Sequence, residues 1–185
     1  LFDERGCEYQ GIDIYEAKSK FDVQDPGIVF YDGANIPFPD ASFDSMICVE
    51  VLEHVPHFQT LVDEMHRVMK PGAKGCVTVP WTMRYHYVPF DYFRYTPSTL
   101  RTMFSGFRKA TIVPRGTDVT VAGYKVVILW LRQFFPTKPW HWCLVPVGLA
   151  LTPLAMVALA VAHASMLLKV GNPDDPLGYT VFVTR

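Results

Sequence analysis

The chain has 185 residues, 17 Lys and Arg against 18 Asp and Glu, and a formal net charge of −1. That is enough chain for one domain with a real core. The balanced charge, with no basic run, speaks against nucleic acid as the main partner. The apolar fraction of 50% is high for a soluble domain, and the excess lies late in the chain. Four scattered cysteines, Cys7, Cys48, Cys76 and Cys143, form no C-x-x-C pair. They read as reduced core thiols in a cytoplasmic setting. The opening residues lack a signal-peptide pattern, and the start at Leu1 rather than Met points to a piece of a longer protein.

In chain order, Leu1 to Cys7 reads as the tail of a helix stopped at Gly6. Tyr9 to Ile14 reads as a strand ending in Asp13, and Tyr15 to Lys20 as a short helix. Ile28 to Tyr31 is a second short strand, closed by Asp32. After the turn residues Pro39 to Ser42, Met46 to Val49 reads as a buried parallel strand, closed by Glu50. Three strands each ending in a carboxylate point to a polar ligand across one edge of a parallel sheet. Glu53 and His54 follow, and they serve equally well as caps or braces of the next helix. Phe58, Leu61, Val62, Met65, Val68 and Met69 recur at helical spacing, and Pro71-Gly72 should end that helix. Gly75 to Val79 then completes a strand–helix–strand unit.

Trp81 to Tyr95 is a loop dense in aromatics that should overhang the crevice as a substrate wall; a satellite apolar cluster is the alternative. Thr96 is placed to cap a short helix with Pro97 at its first position. Lys109 to Pro114 and Leu177 to Thr184 read as the last two strands. Between them, Val121 to Phe135 is largely apolar, and Pro139 to Leu168 contains no Asp, Glu, Lys or Arg.

The run Asp32-Gly33-Ala34-Asn35-Ile36-Pro37-Phe38-Pro39-Asp40, then Ser42-Phe43-Asp44, Val51-Leu52-Glu53-His54-Val55 and Arg67-Val68-Met69-Lys70-Pro71-Gly72, resembles the class I S-adenosylmethionine-dependent methyltransferases. The likeness covers about residues 9 to 115 and the last strand. Asp91-Tyr92-Phe93-Arg94-Tyr95-Thr96-Pro97 is similar to small methyltransferases of glycan and lipid biosynthesis. The resemblance implies an α/β fold: a Rossmann-like methyltransferase sheet lacking its first strand, with an apolar helical insertion before the last strand. It divides the chain into a partial methyltransferase domain, residues 1–118 and 176–185, and an insertion, residues 119–175. It also implies S-adenosyl-L-methionine as cofactor. Asp13 would hold the ribose hydroxyls, with Ile14 beside it. A carboxylate accepts two hydrogen bonds from a diol. Asp32 would accept from the adenine amino group, with Gly33 against the ring. Glu50 and Val51 would lie along the methionine part. The family's first strand and glycine-rich loop should precede Leu1, so the 185-residue piece is expected to be inactive alone.

Methyl transfer depends chiefly on alignment. An oxygen nucleophile also calls for a base, and His54 and His86 are the candidates. Tyr85, Asp91, Arg94 and Tyr95 are candidate substrate residues, although an Asp91–Arg94 pair bracing the loop is an equal reading. No metal ligand is assigned. The Glu50, Glu53, His54 spacing is nevertheless similar to that of ubiquinone-type O-methyltransferases, some of which use a divalent ion.

The acceptor is expected to be a small or lipid-linked molecule. A non-catalytic methyltransferase-like module that binds a membrane or partner is the rival reading, and a dinucleotide oxidoreductase a distant third. Oligomeric state is not legible. Cys143 to Leu168 as one helix would reach roughly 39 Å, enough to span a bilayer; a soluble helical cap or a dimer interface is the alternative. Paired strands cannot lie on opposite sides of a membrane, so the chain must return to the side it left, by two crossings or as a shallow hairpin bending near Pro146 or Pro153. Arg132 and Lys138 before the apolar run and Lys169 after it place both ends at the cytoplasmic face. Val121 to Leu168 is therefore expected to be an embedded helical pair.

Overall fold

A computed structural model describes residues 6–22, 25–135 and 138–185. The helix tail expected over Leu1 to Cys7 lies almost wholly outside them. The first unit is β1 (Gly11–Ile14), α1 (Tyr15–Phe21) and β2 (Ile28–Tyr31), with β1 and β2 paired in parallel. The second is a four-stranded mixed sheet. Its strands are β3 (Phe43–Val49), β4 (Met69–Pro80), β5 (Lys109–Arg115) and β6 (Gly178–Thr184), in the spatial order β3-β4-β6-β5. β3 and β4 run parallel, and β6 runs antiparallel to both β4 and β5.

One face of this sheet carries the core. Val77 and Val79 of β4 and Val181 and Val183 of β6 are fully or almost fully buried there. α2 (Phe58–Val68) lays Leu61, Val62, Met65 and Val68 into that core, and α3 (Pro97–Met103) adds Leu100 and Met103. α2 forms where the apolar spacing placed it, and α3 where Thr96 and Pro97 marked its start. Thr96 caps α3 as expected, its side chain accepting from the Thr99 N–H.

Three expectations change. β3 is not a buried strand: Ile47 and Val49 are 62% and 56% exposed, and only Cys48 is buried. Its outer edge has no neighbour among the described residues, and no helix covers that side. Pro71-Gly72 does not follow a helix into a turn. β4 already begins at Met69, because Phe43 pairs with Met69 and the Gly72 N–H donates to the Arg185 carbonyl. Of the four free cysteines, Cys7 and Cys143 are exposed rather than core.

Between β5 and β6 the chain makes a helical hairpin. α4 (Asp118–Leu131) leads out, and 3-10 turns at Arg132–Phe134 and Pro139–Leu144 follow. α5 (Val145–Ala150) and α6 (Thr152–Leu168) complete it. The apolar run from Cys143 to Leu168 is not one helix: α5 and α6 meet at Leu151, two residues before Pro153, one of the two prolines at which a bend was expected. Among the described residues no single helix is long and apolar enough to cross a membrane, but Pro139–Ala150 and Thr152–Leu168, bent by 60°, pass together by length and composition. α4 and α6 pack closely. A Cβ on Gly123 would stand 2.7 Å from the Ala162 Cβ and 3.0 Å from the Ala158 carbonyl oxygen. At the base of the hairpin, the Asp118 N–H donates to the Asn172 carbonyl and the Asn172 N–H to the Asp118 carboxylate. Its outer surface stays apolar: Leu154, Val157, Val161 and Leu167 are all exposed.

Candidate functional site

The carboxyl ends of β1, β2 and β3 carry the polar residues. Asp13 lies inside β1, opposite Phe30, and its carboxylate accepts from the Ile14 N–H at 2.8 Å. Asp32 follows β2 directly. Its Oδ1 accepts from the Ala34 and Asn35 N–H groups, both at 2.9 Å, and these bonds hold its carboxyl below the usual range. Oδ2 keeps one long contact, to the Asn35 amide at 3.5 Å, and is the oxygen left for a ligand. Gly33 turns with φ near +79°, and a Cβ there would meet the Ile14 side chain at 3.3 Å. Asp13, Ile14, Asp32 and Gly33 therefore form one patch at the end of the β1–β2 pair.

Glu50 ends β3 in a left-handed conformation, φ +52°, that a non-glycine residue seldom adopts. Its N–H donates to the Thr78 carbonyl, and its Oε1 receives Arg115 Nη2 at 2.5 Å. Arg115, at the end of β5, also donates to the Val79 carbonyl. This bridge from β5 to β3 was not read from the sequence, since 65 residues separate the partners. Val51 is partly exposed beside it.

Glu53 and His54 sit in the 3-10 turn Leu52–His54, roofed by the aromatic loop. The Tyr92 and Phe93 N–H groups donate to the Glu53 carbonyl. The His54 Nδ1 lies 2.7 Å from the Phe90 carbonyl, which only accepts, so Nδ1 carries the proton and Nε2 the lone pair. His86 is fixed likewise. Its Nδ1 is 3.1 Å from both the Arg84 carbonyl and the Asp91 carboxylate. The two imidazoles meet edge to face, their centroids 4.9 Å apart. His54 and His86, candidates from distant parts of the sequence, are thus brought together.

Beside them lies Glu53, which the sequence offered only through its metal-like spacing with Glu50 and His54 or as a helix brace. Glu53 is fully buried, and neither carboxylate oxygen has a hydrogen-bond partner. Its Oε1 stands 3.6 Å from His54 Nε2. Burial pushes this carboxyl up to about 7, and the charge of Glu50 adds to the effect. One ligand atom each from Glu53, His54 and His86 fits within 4.8 Å, a spacing that suits a divalent ion; Glu50, tied to Arg115, is not in this group.

Asp91 and Arg94 brace the loop. Two N–H···O bonds of 2.6 and 2.9 Å join them, and Arg94 holds the Asp91 carboxyl well below the usual carboxylate range. They also line, with Met83, Tyr85, Tyr92 and Phe93, a cavity of about 280 Å³. Tyr85 is exposed at its rim, as a substrate residue requires. Tyr95 is not one. It is 2% exposed and its hydroxyl donates to the Leu52 carbonyl, so it belongs to the core.

Comparison with known proteins fits this arrangement. Residues 1–77 match the family model described as "Methyltransferase domain". The chain is 32% identical over 81 residues to a demethylmenaquinone methyltransferase of Geobacillus sp. (strain WCH70), a stretch covering 42% of this chain and 35% of that protein. It is 38% identical over 72 residues to a phthiotriol/phenolphthiotriol dimycocerosates methyltransferase of Mycobacterium tuberculosis, covering 36% and 27%. The chain thus spans about a third or less of the length of these relatives. Among solved structures, a SAM-dependent methyltransferase from Archaeoglobus fulgidus superposes with a TM-score of 0.58 at 16% identity, over 100% of this chain and 79% of that one. The strand order, the acids at the strand ends and these likenesses agree: residues 1–77 match the methyltransferase-domain family model, and the chain carries the Rossmann-like fold seen in solved S-adenosylmethionine-dependent methyltransferases.

Proposed function

We propose that the chain forms the adenosine-binding edge and the acceptor side of an S-adenosylmethionine-dependent methyltransferase. Its acceptor is a lipid-linked or other apolar-tailed molecule met at the cytoplasmic face of a membrane. The observation that carries the proposal is the patch of Asp13, Ile14, Asp32 and Gly33 at the carboxyl end of the β1–β2 pair, with Glu50 placed at the carboxyl end of β3. Asp13 takes the ribose diol, the free oxygen of Asp32 takes the adenine amino group, and Glu50 and Val51 lie along the methionine part. The cofactor supplies an electrophilic methyl group. The chain aligns the acceptor in the cavity beside Tyr85, and the lone pair of one of the two imidazoles, His86 or His54, receives the acceptor's single proton.

The test is transfer of labelled methyl from the cofactor to lipid extracts by the complete protein. Asp13→Ala or Asp32→Ala is expected to weaken cofactor binding by roughly 10- to 100-fold, the loss of one charged hydrogen-bonding group. Unchanged binding by calorimetry rejects their assignment. The isolated 185-residue chain is expected to bind the cofactor weakly, because among the described residues no strand joins β1 to β3.

The membrane part rests on the exposed apolar hairpin and its cationic flanks. Complete protein should fractionate with membranes and become soluble without residues 139 to 168. If both versions stay soluble, or a tag at Lys169 is reached from outside the cell, the placement is wrong.

The unpartnered oxygens of Glu53 favour a second reading, in which Glu53, His54 and His86 hold a divalent cation. Both histidines fit, since each ties Nδ1 to an oxygen and leaves Nε2 for a metal. A bound cation there would polarise an acceptor oxygen. Cobalt(II) titrated into the chain should give a visible absorption band that His86→Ala abolishes. Full activity in chelator excludes the metal.

A further inference from the structure

A second concave surface lies on the far side of the Met83–Tyr85 segment. It encloses about 140 Å³ and is lined by Arg84, Tyr124, Lys125, Ile128, Leu129 and Arg132. Lys125, Ile128, Leu129 and Arg132 follow one another at three- and four-residue spacing, so they share one face of α4 and its extension. Arg84 forms the opposite wall from the aromatic loop. The Tyr124 hydroxyl, 3.7 Å from the Met83 sulfur, fastens the two walls together.

The charge of this groove is one-sided. Three of its six lining side chains are cations, and none is acidic. Among the described residues, Arg84, Lys125 and Arg132 form no ion pair, whereas Arg94 and Arg115 at the neighbouring site do. The whole hairpin from residue 119 to 170 holds Lys125, Arg132, Lys138 and Lys169 and no acid. Gathering three like charges costs free energy, and a bound anion relieves it. The apolar walls from Ile128 and Leu129 strengthen that attraction by excluding water. Two of the cations are arginines, whose planar forks suit phosphate oxygens.

Position adds the rest. On one side the groove is walled by α4, whose Leu129 and Leu131 are exposed. On the other it shares the Met83–Tyr85 segment with the cavity beside Asp91 and Arg94. We infer that this groove seats the phosphate of the acceptor: an amphiphile with its tail along the hairpin, its phosphate between Arg84, Lys125 and Arg132, and its polar head in the cavity at Tyr85. The inference rests on the membrane-facing methyltransferase reading and narrows it to lipids that carry a phosphate.

The experiment separates the two. Short-chain dioctanoyl phosphatidic acid is titrated into the 185-residue chain without vesicles and followed by tryptophan fluorescence. The result expected is saturable binding, weakened at least about fivefold by Lys125→Glu or Arg84→Glu, the factor for one cation beside an anionic lipid. Lys138→Glu, which reverses one charge on the same hairpin outside the groove, should leave it unchanged. Equal weakening by all three variants overturns the groove in favour of general surface charge, and binding indifferent to Lys125→Glu overturns it outright. Near-ultraviolet circular dichroism confirms that each variant is folded. Inorganic phosphate binding as tightly as the lipid overturns the lipid assignment and leaves a free-phosphate site. Sedimentation with pure phosphatidylcholine vesicles reports on the membrane reading alone, because those vesicles offer the hairpin a bilayer without net charge.

Discussion

At the residue scale, Arg67 and Arg94 are the two most heavily bonded side chains among the described residues, and Arg67 joins separate elements. It donates to both oxygens of Glu64, to Asp40, and to the carbonyls of Phe38 and Ile36, while the Ile36 N–H donates back to Glu64. This knot ties α2 to the segment leaving β2. Arg67 holds the Glu64 carboxyl below its ordinary value of 4.5. A carboxyl lowered by folding contributes stability that is present above the unfolded value and lost as pH falls through the folded one. Glu64→Gln should therefore cost about 1 kcal/mol near neutral pH, a small figure because Arg67 is partly solvated, and the cost should vanish in acid. Urea midpoints of the two proteins, compared from about pH 7 down to about pH 3, give the answer. A constant difference across that range rejects the role. The knot shows what the sequence displays and what it hides. Arg67 was visible as part of a motif, but its five acceptors come from a turn 27 to 31 residues away and from one helical turn. Tyr95 was misassigned for a related reason: a tyrosine in an aromatic loop looks the same in sequence whether its hydroxyl meets substrate or the Leu52 carbonyl. Glu53 was visible as an acid but not as an unpartnered one, which depends on the loop that closes over it.

At the element scale, legibility followed how local the signal was. α2 was readable because its apolar face repeats at helical spacing, and α3 because Thr96 and Pro97 mark its start. The beginning of β4 was not. Pro71-Gly72 has the chemistry of a stop, but pairing with Phe43 and Arg185 draws the segment into the sheet from Met69 onward. The hairpin was readable as apolar and helical and, from Pro146 and Pro153, as bent; α5 and α6 meet at Leu151, just before Pro153. Packing holds the bend: Trp130 of α4 donates its indole N–H to the Gly148 carbonyl and to the Thr152 hydroxyl, holding α5 back against α4. Small residues let α4 and α6 touch. Gly123→Val would push its side chain into Ala162 and the Ala158 carbonyl. Overpacking of this kind costs about 1–3 kcal/mol. The same change at Ala122, exposed on the same helix, should cost well under 1 kcal/mol. Thermal melts of both variants in mild detergent check this. Equal losses mean that helix propensity, not the α4–α6 contact, governs the hairpin.

At the scale of the whole molecule, the sheet is divided. β1 and β2 form a pair of their own, and β3 begins a separate four-stranded sheet. The family resemblance anticipated an incomplete sheet, but not how unevenly stability is then shared. β4 has a partner on each side, and its covered face lies on α2 and α3. The opposite face carries Ile47 of β3, Phe182 of β6 and Val113 of β5 in the open. The β1–β2 pair has four residues per strand and is tied to the rest chiefly through Tyr31, Ile36 and the Arg67 knot. Two short strands alone are marginal in water. Opening of such a unit needs far less free energy than global unfolding. Backbone amides of Gly11 to Tyr31 should therefore exchange with deuterium first among the strands. The β3 amides should follow, and those of Cys76 to Val79 and Tyr179 to Val183 should exchange last. Hydrogen exchange read by mass spectrometry on peptic fragments resolves these three groups. Saturating cofactor should slow exchange in the first group most, since Asp13 and Asp32 lie there. If Gly11 to Tyr31 exchanges as slowly as β4 without ligand, the two sheets unfold as one unit, and this division of the molecule is wrong.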